Sequence, residues 1–139
     1  MAEQPDDQHA RPEGADDAAI AAAGKVTEAY EWIIRARGRL YDFHQLMGHA
    51  DALLGEALDG LRDAGHAPLA DELTRSWLGR NAIPDRWTFE IVEAFDATYF
   101  EVATDGERRV RDEVCGGRRH VFEAEMKRDR RSDGPTDDR

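Results

Sequence analysis

From Val26 onward, apolar residues recur at alternating steps of four and three. The series begins Val26, Ala29, Ile33, Ala36, Leu40 and Phe43, and continues Met47, Ala50, Leu54, Ala57, Leu61 and Ala64. No polar side chain interrupts it. Alternation of this kind places every member on one seam of an α-helix. Trp32, Leu46 and Leu53 widen the seam on one flank. A helix over Val26 to Ala64 spans about 58 Å, whereas a compact 100-residue domain has a radius of gyration near 13 Å. The pattern therefore predicts an elongated molecule or a bend. Gly38, Gly48, Gly55 and Gly60 are the expected bend sites, since each costs about 1 kcal/mol relative to Ala inside a helix. Gly65 and Pro68 mark the end of this element and the start of the next.

Three shorter helices are expected to follow. The second runs from about Pro68 to Leu78, with Leu69, Leu73 and Trp77 on one face. Asp85 is the expected N-cap of the third, whose core face holds Ile91, Val92, Phe95, Tyr99 and Val102. The spacing of Val102, Val110 and Val114 favours its continuation, with a bend, past Gly106. Gly116-Gly117 stops it, and a fourth helix covers about Arg119 to Arg131. No alternating strand pattern occurs. The expected fold is an all-α, elongated helical bundle built on the long helix.

Composition bounds the rest. The chain has 139 residues, enough for one ordinary domain, with 40% hydrophobic residues and a mean hydropathy of -0.74. Residues 1–17 are acidic and nearly devoid of large apolar side chains, so they are expected to be a disordered arm. Residues 18–131 form the expected single helical domain, and 132–139 a disordered tail. With 30 Asp and Glu against 19 Lys and Arg, the net charge is -11. Such a surface repels phosphate backbones and disfavours general nucleic-acid binding. Lys127, Arg128, Arg130 and Arg131 form a local basic cluster, for which an acidic partner or nucleic acid is the weaker expectation. Lys occurs only at Lys25 and Lys127. That scarcity, with many carboxylates, points to a halophile or a high-GC prokaryote. The longest apolar run, Ala18 to Ala23, is too short to span a bilayer, and acidic residues precede it, unlike a signal peptide. A cytoplasmic location is expected. Cys115 is the only cysteine, which excludes an intrachain disulfide, and a helix C-terminus disfavours its thiolate.

The direction of each face limits the candidate chemistry. His44 and His49 are five residues apart, about 140° around a helix, so their imidazoles diverge. A divalent-metal site would need other helices; the set available is His44, Asp96, His120 and Glu123, with Asp51 near His44 in sequence. Glu28/Glu31 and Glu93/Asp96 resemble in spacing the magnesium carboxylates of all-α nucleotide pyrophosphohydrolases. However, Glu28 and Glu31 face away from the seam, and Glu93 points nearly opposite its own core face. A metal-dependent all-α enzyme, ferritin-like or pyrophosphohydrolase-like, is the alternative reading.

Two other features suggest contacts. Ile34, Tyr41, Gly48, Ala52 and Gly55 form a second face on the long helix, with His44 at its edge. A helix apolar on two sides is sandwiched in a bundle or shared between subunits. The loop Gly79 to Phe89 gathers Arg80, Asn81, Asp85, Arg86 and Trp87 between two helices. Arg118, Arg119 and His120 oppose the dipole of the last helix, an arrangement that suits either an anion or an intrachain carboxylate.

The stretches Leu40-Tyr41-Asp42-Phe43-His44-Gln45, Gly79-Arg80-Asn81, Arg86-Trp87-Thr88-Phe89-Glu90-Ile91-Val92-Glu93 and Arg118 to Lys127 resemble a family of small uncharacterised helical proteins of halophilic archaea and actinobacteria. The resemblance spans about residues 40 to 128. It implies a helical fold and the same habitat, and brings no catalytic residue. The leading expectation is a non-enzymatic helical interaction protein that self-associates as a homodimer through the long helix. Contacts with a ligand or protein partner are expected at Tyr41, His44, Arg80, Asn81, Arg86, Trp87 and His120. No catalytic residue and no resident cofactor are expected.

Overall fold

Asp16 sets the start of the first helix. Its Oδ1 accepts the backbone N–H of Ala19 at 2.7 Å, the N-cap contact to the third helical residue. The computed structural model describes residues 9–132, apart from the side chain of Ser132. α1 runs Asp17–Asp63, so it begins about nine residues earlier than the seam indicates. The cap at Asp16 and burial of Ile20 and Ala23 carry the helix back to that point. It passes without interruption through Gly38, Gly48, Gly55 and Gly60. At its end the His66 N–H donates to the Leu61 carbonyl at 2.8 Å, and the Gly65 N–H to that of Arg62 at 3.1 Å. This is a Schellman closure, and it requires the left-handed φ of +93° that Gly65 supplies.

α2 is Ala67–Ser76, with Pro68 in its first turn. α3 is Thr88–Phe95 and leads into a π-helical turn, Asp96–Phe100. α4 follows as Glu101–Cys115, and α5 is Val121–Ser132. The expected all-α fold with a long N-terminal helix is present, and no strand occurs among the described residues. The helical path does continue through Gly106. Its irregularity falls earlier, at the π turn, where neither Gly nor Pro marks the sequence. Asp85 is not the N-cap of α3. It sits in the left-handed region at φ 63°, in the turn joining Ile83 to Arg86, and Trp87 takes the cap position in an extended conformation. No helix among the described residues is long and apolar enough to cross a membrane.

The contacts separate the chain into two compact units. One comprises residues 1–34 and 100–139, and the other residues 35–99. In the first, Ile20, Ala23, Cys115 and Val121 are buried together, with Ala15, Val110 and Val114 packed against them. Part of the expected disordered arm belongs to this unit. The Arg11 guanidinium makes a two-pronged contact with Glu125, 2.7 Å from Nε to Oε1 and 3.0 Å from Nη2 to Oε2. It also reaches Asp17 at 2.7 Å. Arg118 donates to the Ala10 carbonyl. Residues 1–8 and 133–139, which hold the rest of the expected arm and tail, lie outside the described residues. Further along α1, Tyr30 stacks on Phe100 and its hydroxyl meets that of Thr104 at 2.9 Å.

In the second unit the buried residues are Leu58, Ala70 and Val92. α1 faces its own chain here through polar residues spaced by sevens. Arg37 pairs with Asp96 in a two-pronged contact of 2.6 and 2.9 Å. His44 Nδ1 and the Thr88 hydroxyl are hydrogen-bonded at 2.7 Å. Asp51 accepts the Gly79 N–H at 2.8 Å, and the next step along this ladder is the buried Leu58. Replacing Leu58 with Ala should cost about 2–5 kcal/mol, measurable by urea denaturation followed by circular dichroism.

Candidate functional site

The ladder of Arg37, His44, Asp51 and Leu58 lies one residue beyond Ala36, Phe43, Ala50 and Ala57, about 100° around the helix axis from that row of the seam and about 40–60° from the row of Leu40, Met47, Leu54 and Leu61. The face turned inward is therefore the one that includes Tyr41, His44 and Gly55, the second face of the sequence pattern. Tyr41 and His44 pack their rings against Phe89. Gly55 lies close under Leu78, where an added Cβ would sit 3.8 Å from its Cδ1. The longer apolar seam is left partly outward: Ala29, Ala36, Phe43, Met47, Ala50, Ala57 and Ala64 are exposed, and Val26, Ile33, Leu40, Leu54 and Leu61 are partly buried. None of its members from Val26 to Ala64 is fully buried. On the flank, Leu46 is 65% exposed and Leu53 52%. Periodicity identifies the seam but does not say which face the chain itself covers. Here ion pairs and hydrogen bonds claim the less apolar face.

In the second unit the seam opens into a groove of about 300 Å³. Met47, Ala50 and Leu54 come from α1, Trp77 from the end of α2, and Trp87 from the connection ahead of α3. The rings are well exposed, Trp77 at 57% and Trp87 at 72%. Arg80 and Asn81 line the same groove, with the Arg80 Nη1 3.4 Å from the Ser76 carbonyl. Asp51 is occupied by Gly79, so the polar groups here brace the turn. Arg86 belongs to the neighbouring turn. His44 lies on the inward ladder and is not among the residues lining the groove. The sequence pattern singled out Arg80, Asn81 and Trp87. The aliphatic wall opposite them, Met47, Ala50 and Leu54, carries no mark in the sequence that joins it to this loop.

The first unit has its own cavity of about 350 Å³. Its walls mix Lys25, Arg111 and Arg118 with Glu28, Glu31 and Glu123, so no sign of charge dominates. The Arg111 Nε has no hydrogen-bond partner, and its Nη1 is 3.8 Å from Glu107. His120 Nδ1 is 3.4 Å from Glu123, which also contacts Lys127 at 3.5 Å. The intrachain carboxylate is thus present at His120. Of the metal set considered above, Asp96 is engaged by Arg37 and His44 by Thr88. Among the described residues, no three His, Cys, Asp or Glu side chains gather where they could hold a metal ion.

Cys115 lies in this cavity wall, and burial pushes its thiol pKa up, assisted by Glu125 and Glu107. Fewer thiolates and restricted access both slow attack. At about pH 8 a disulfide reagent should modify Cys115 more slowly in the folded protein than in urea, as measured by thiol titration.

No family model, no curated protein and no solved structure matches this chain.

The hydrogen bonds from Arg37 hold the Asp96 carboxyl below the usual carboxylate range. A depressed folded-state pKa gives stability that is complete above the unfolded value, near 3.9, and is lost as pH falls through the folded one. Asp96→Asn should therefore lower Tm near pH 6, by an amount that fades below about pH 4 and shrinks in about 1 M salt because the pair is solvent-accessible. Thermal melts of both proteins across pH check this.

Proposed function

We propose that the protein is a helical interaction protein that works by self-association, with the seam of α1 and the adjoining tryptophan groove as its binding surface. One observation carries the reading: the fold of one chain buries no member of its most regular apolar face, leaving Phe43, Met47 and the alanine row exposed and Val26, Ile33, Leu40, Leu54 and Leu61 only partly buried. Isolated exposed apolar side chains are ordinary, whereas a contiguous patch of large ones marks an interaction site. Phe43, Leu46, Met47, Leu53, Trp77 and Trp87 together leave on the order of 700 Å² exposed. A standard interface buries about 800 Å² per partner, so two copies meeting face to face would approach that size.

Charge supports a second copy as the occupant. The chain is strongly acidic, yet no carboxylate occurs at any seam position or on the Trp32, Leu46, Leu53 flank. The acids of α1, such as Asp42, Glu56, Asp59 and Asp63, lie on other faces. Asp51 lines the groove but is held by the Gly79 N–H, so along the seam itself two identical acidic molecules can meet without opposing carboxylates. Exposed tryptophans fit the same role, being enriched where interfaces concentrate their binding energy.

Light scattering coupled to size exclusion should return twice the chain mass at tens of micromolar protein. Leu46→Glu combined with Leu53→Glu should give a monomer of unchanged helicity, since both side chains are exposed within one chain. A wild-type monomer at every concentration and salt tested would overturn the reading.

A further inference from the structure

The two rows of the seam are unequal in size, and the larger one is partly buried within one chain except at Met47, while the smaller one is exposed throughout. One row carries Val26, Ile33, Leu40, Met47, Leu54 and Leu61. The other carries Ala29, Ala36, Ala50, Ala57 and Ala64, and departs from alanine only at Phe43. A parallel pair stacks each row on its own copy. Layers of two large residues would then alternate with layers of two alanines. Interaxial distance varies over about 8–10 Å with the size of the contacting side chains, and two rigid helices hold only one spacing over consecutive layers. Either the large layers clash or the alanine layers are left as voids. An antiparallel pair sets the large row of one copy against the small row of the other. Every such layer then holds one large residue and one alanine, at nearly constant volume.

Phe43 fixes the register. As the one bulky member of the small row, it faces a large residue wherever the second copy docks, and needs extra room there. The groove beside Leu54 provides it. Met47, Ala50 and Leu54 form one wall, Trp77 and Trp87 lie across it, and the volume of about 300 Å³ accommodates a phenyl ring. We infer that two copies pair antiparallel along α1, with Phe43 of each seated against Leu54 in the tryptophan groove of the other. Setting Phe43 opposite Leu54 also sets Ala50 opposite Met47 and Leu40 opposite Ala57. The two-fold axis then passes between Gly48 and His49. The exchange is isologous and closed, as a dimer requires.

The inference rests on the self-association proposed above and is tested separately from it. Asp42, His49, Glu56 and Asp63 are exposed, share one outward row and follow at intervals of seven residues. Single spin labels at each, in a Cys115→Ala background, report the distance between copies by pulsed electron resonance. With about 1.5 Å rise per residue, the antiparallel pair predicts the shortest distance at His49. Asp42 and Glu56 should be similar, with axial separations near 20 Å, and Asp63 should lie beyond 40 Å. Equal distances at all four sites would mean parallel pairing and overturn the inference while leaving self-association standing. A minimum at another site would overturn the register. No dipolar signal together with a monomer mass would overturn both readings. A second measurement needs no label: Ala50→Leu should weaken the dimer at least tenfold by overfilling the Met47 layer, whereas a parallel pair would be tightened by filling an alanine layer.

Discussion

In the 35–99 unit, the ion pair between Arg37 and Asp96 shows which side of α1 turns toward the rest of the chain. The pair is two-pronged and short, a geometry that fixes rotation about the helix axis as well as distance. His44 with Thr88 and Asp51 with Gly79 repeat the same choice at intervals of seven residues. Once these residues face inward, the row of Ala36, Phe43, Ala50 and Ala57 some 100° away is left outward, and the larger seam residues beside the ladder are only partly covered. The exposure of Leu46, Leu53, Trp77 and Trp87 follows from that placement and is not a scatter of unrelated surface residues.

Net stabilisation by solvent-accessible ion pairs is small, so the ladder is better understood as a device for orientation. The buried residues of the second unit, Leu58, Ala70 and Val92, supply hydrophobic contact at separated points. Specific polar contacts between those points select one rotation among several that an amphipathic helix would accept. Polar residues inside and apolar residues outside would be a poor arrangement for a solitary molecule. The same arrangement is the one that the proposed self-association would use.

Much of the fold could be read from the chain. Regular apolar spacing gave the long helix, Gly65 and Pro68 gave the boundary after it, and Gly116-Gly117 gave the end of α4. The N-terminal extension to Asp17 was hidden because alanine-rich sequence has little periodicity and a single Asp cap is a weak signal. The π turn after Phe95 carries no residue of unusual backbone preference, so nothing in the sequence marks it. Site assignment was harder for a different reason. Hydrophobic periodicity measures how apolar a face is, whereas the covering of a face depends on complementary partners such as Asp96 and Thr88, far away in sequence. Arg80, Asn81 and Trp87 stood out as loop residues, but the groove they share with Met47 and Leu54 exists only after α1 has been rotated.

The contact between Arg11 and Glu125 joins positions 114 residues apart. Arg11 is made before α1, and its partner only with α5. The contacts of the 35–99 unit fall within a much shorter span of chain. That unit can be complete while its sequence neighbours on the C-terminal side are still being synthesised, whereas the clamp on α5 closes only after Glu125 has emerged. Contacts of the tryptophan-bearing half can thus form on a nascent chain before the clamp of the other half can close.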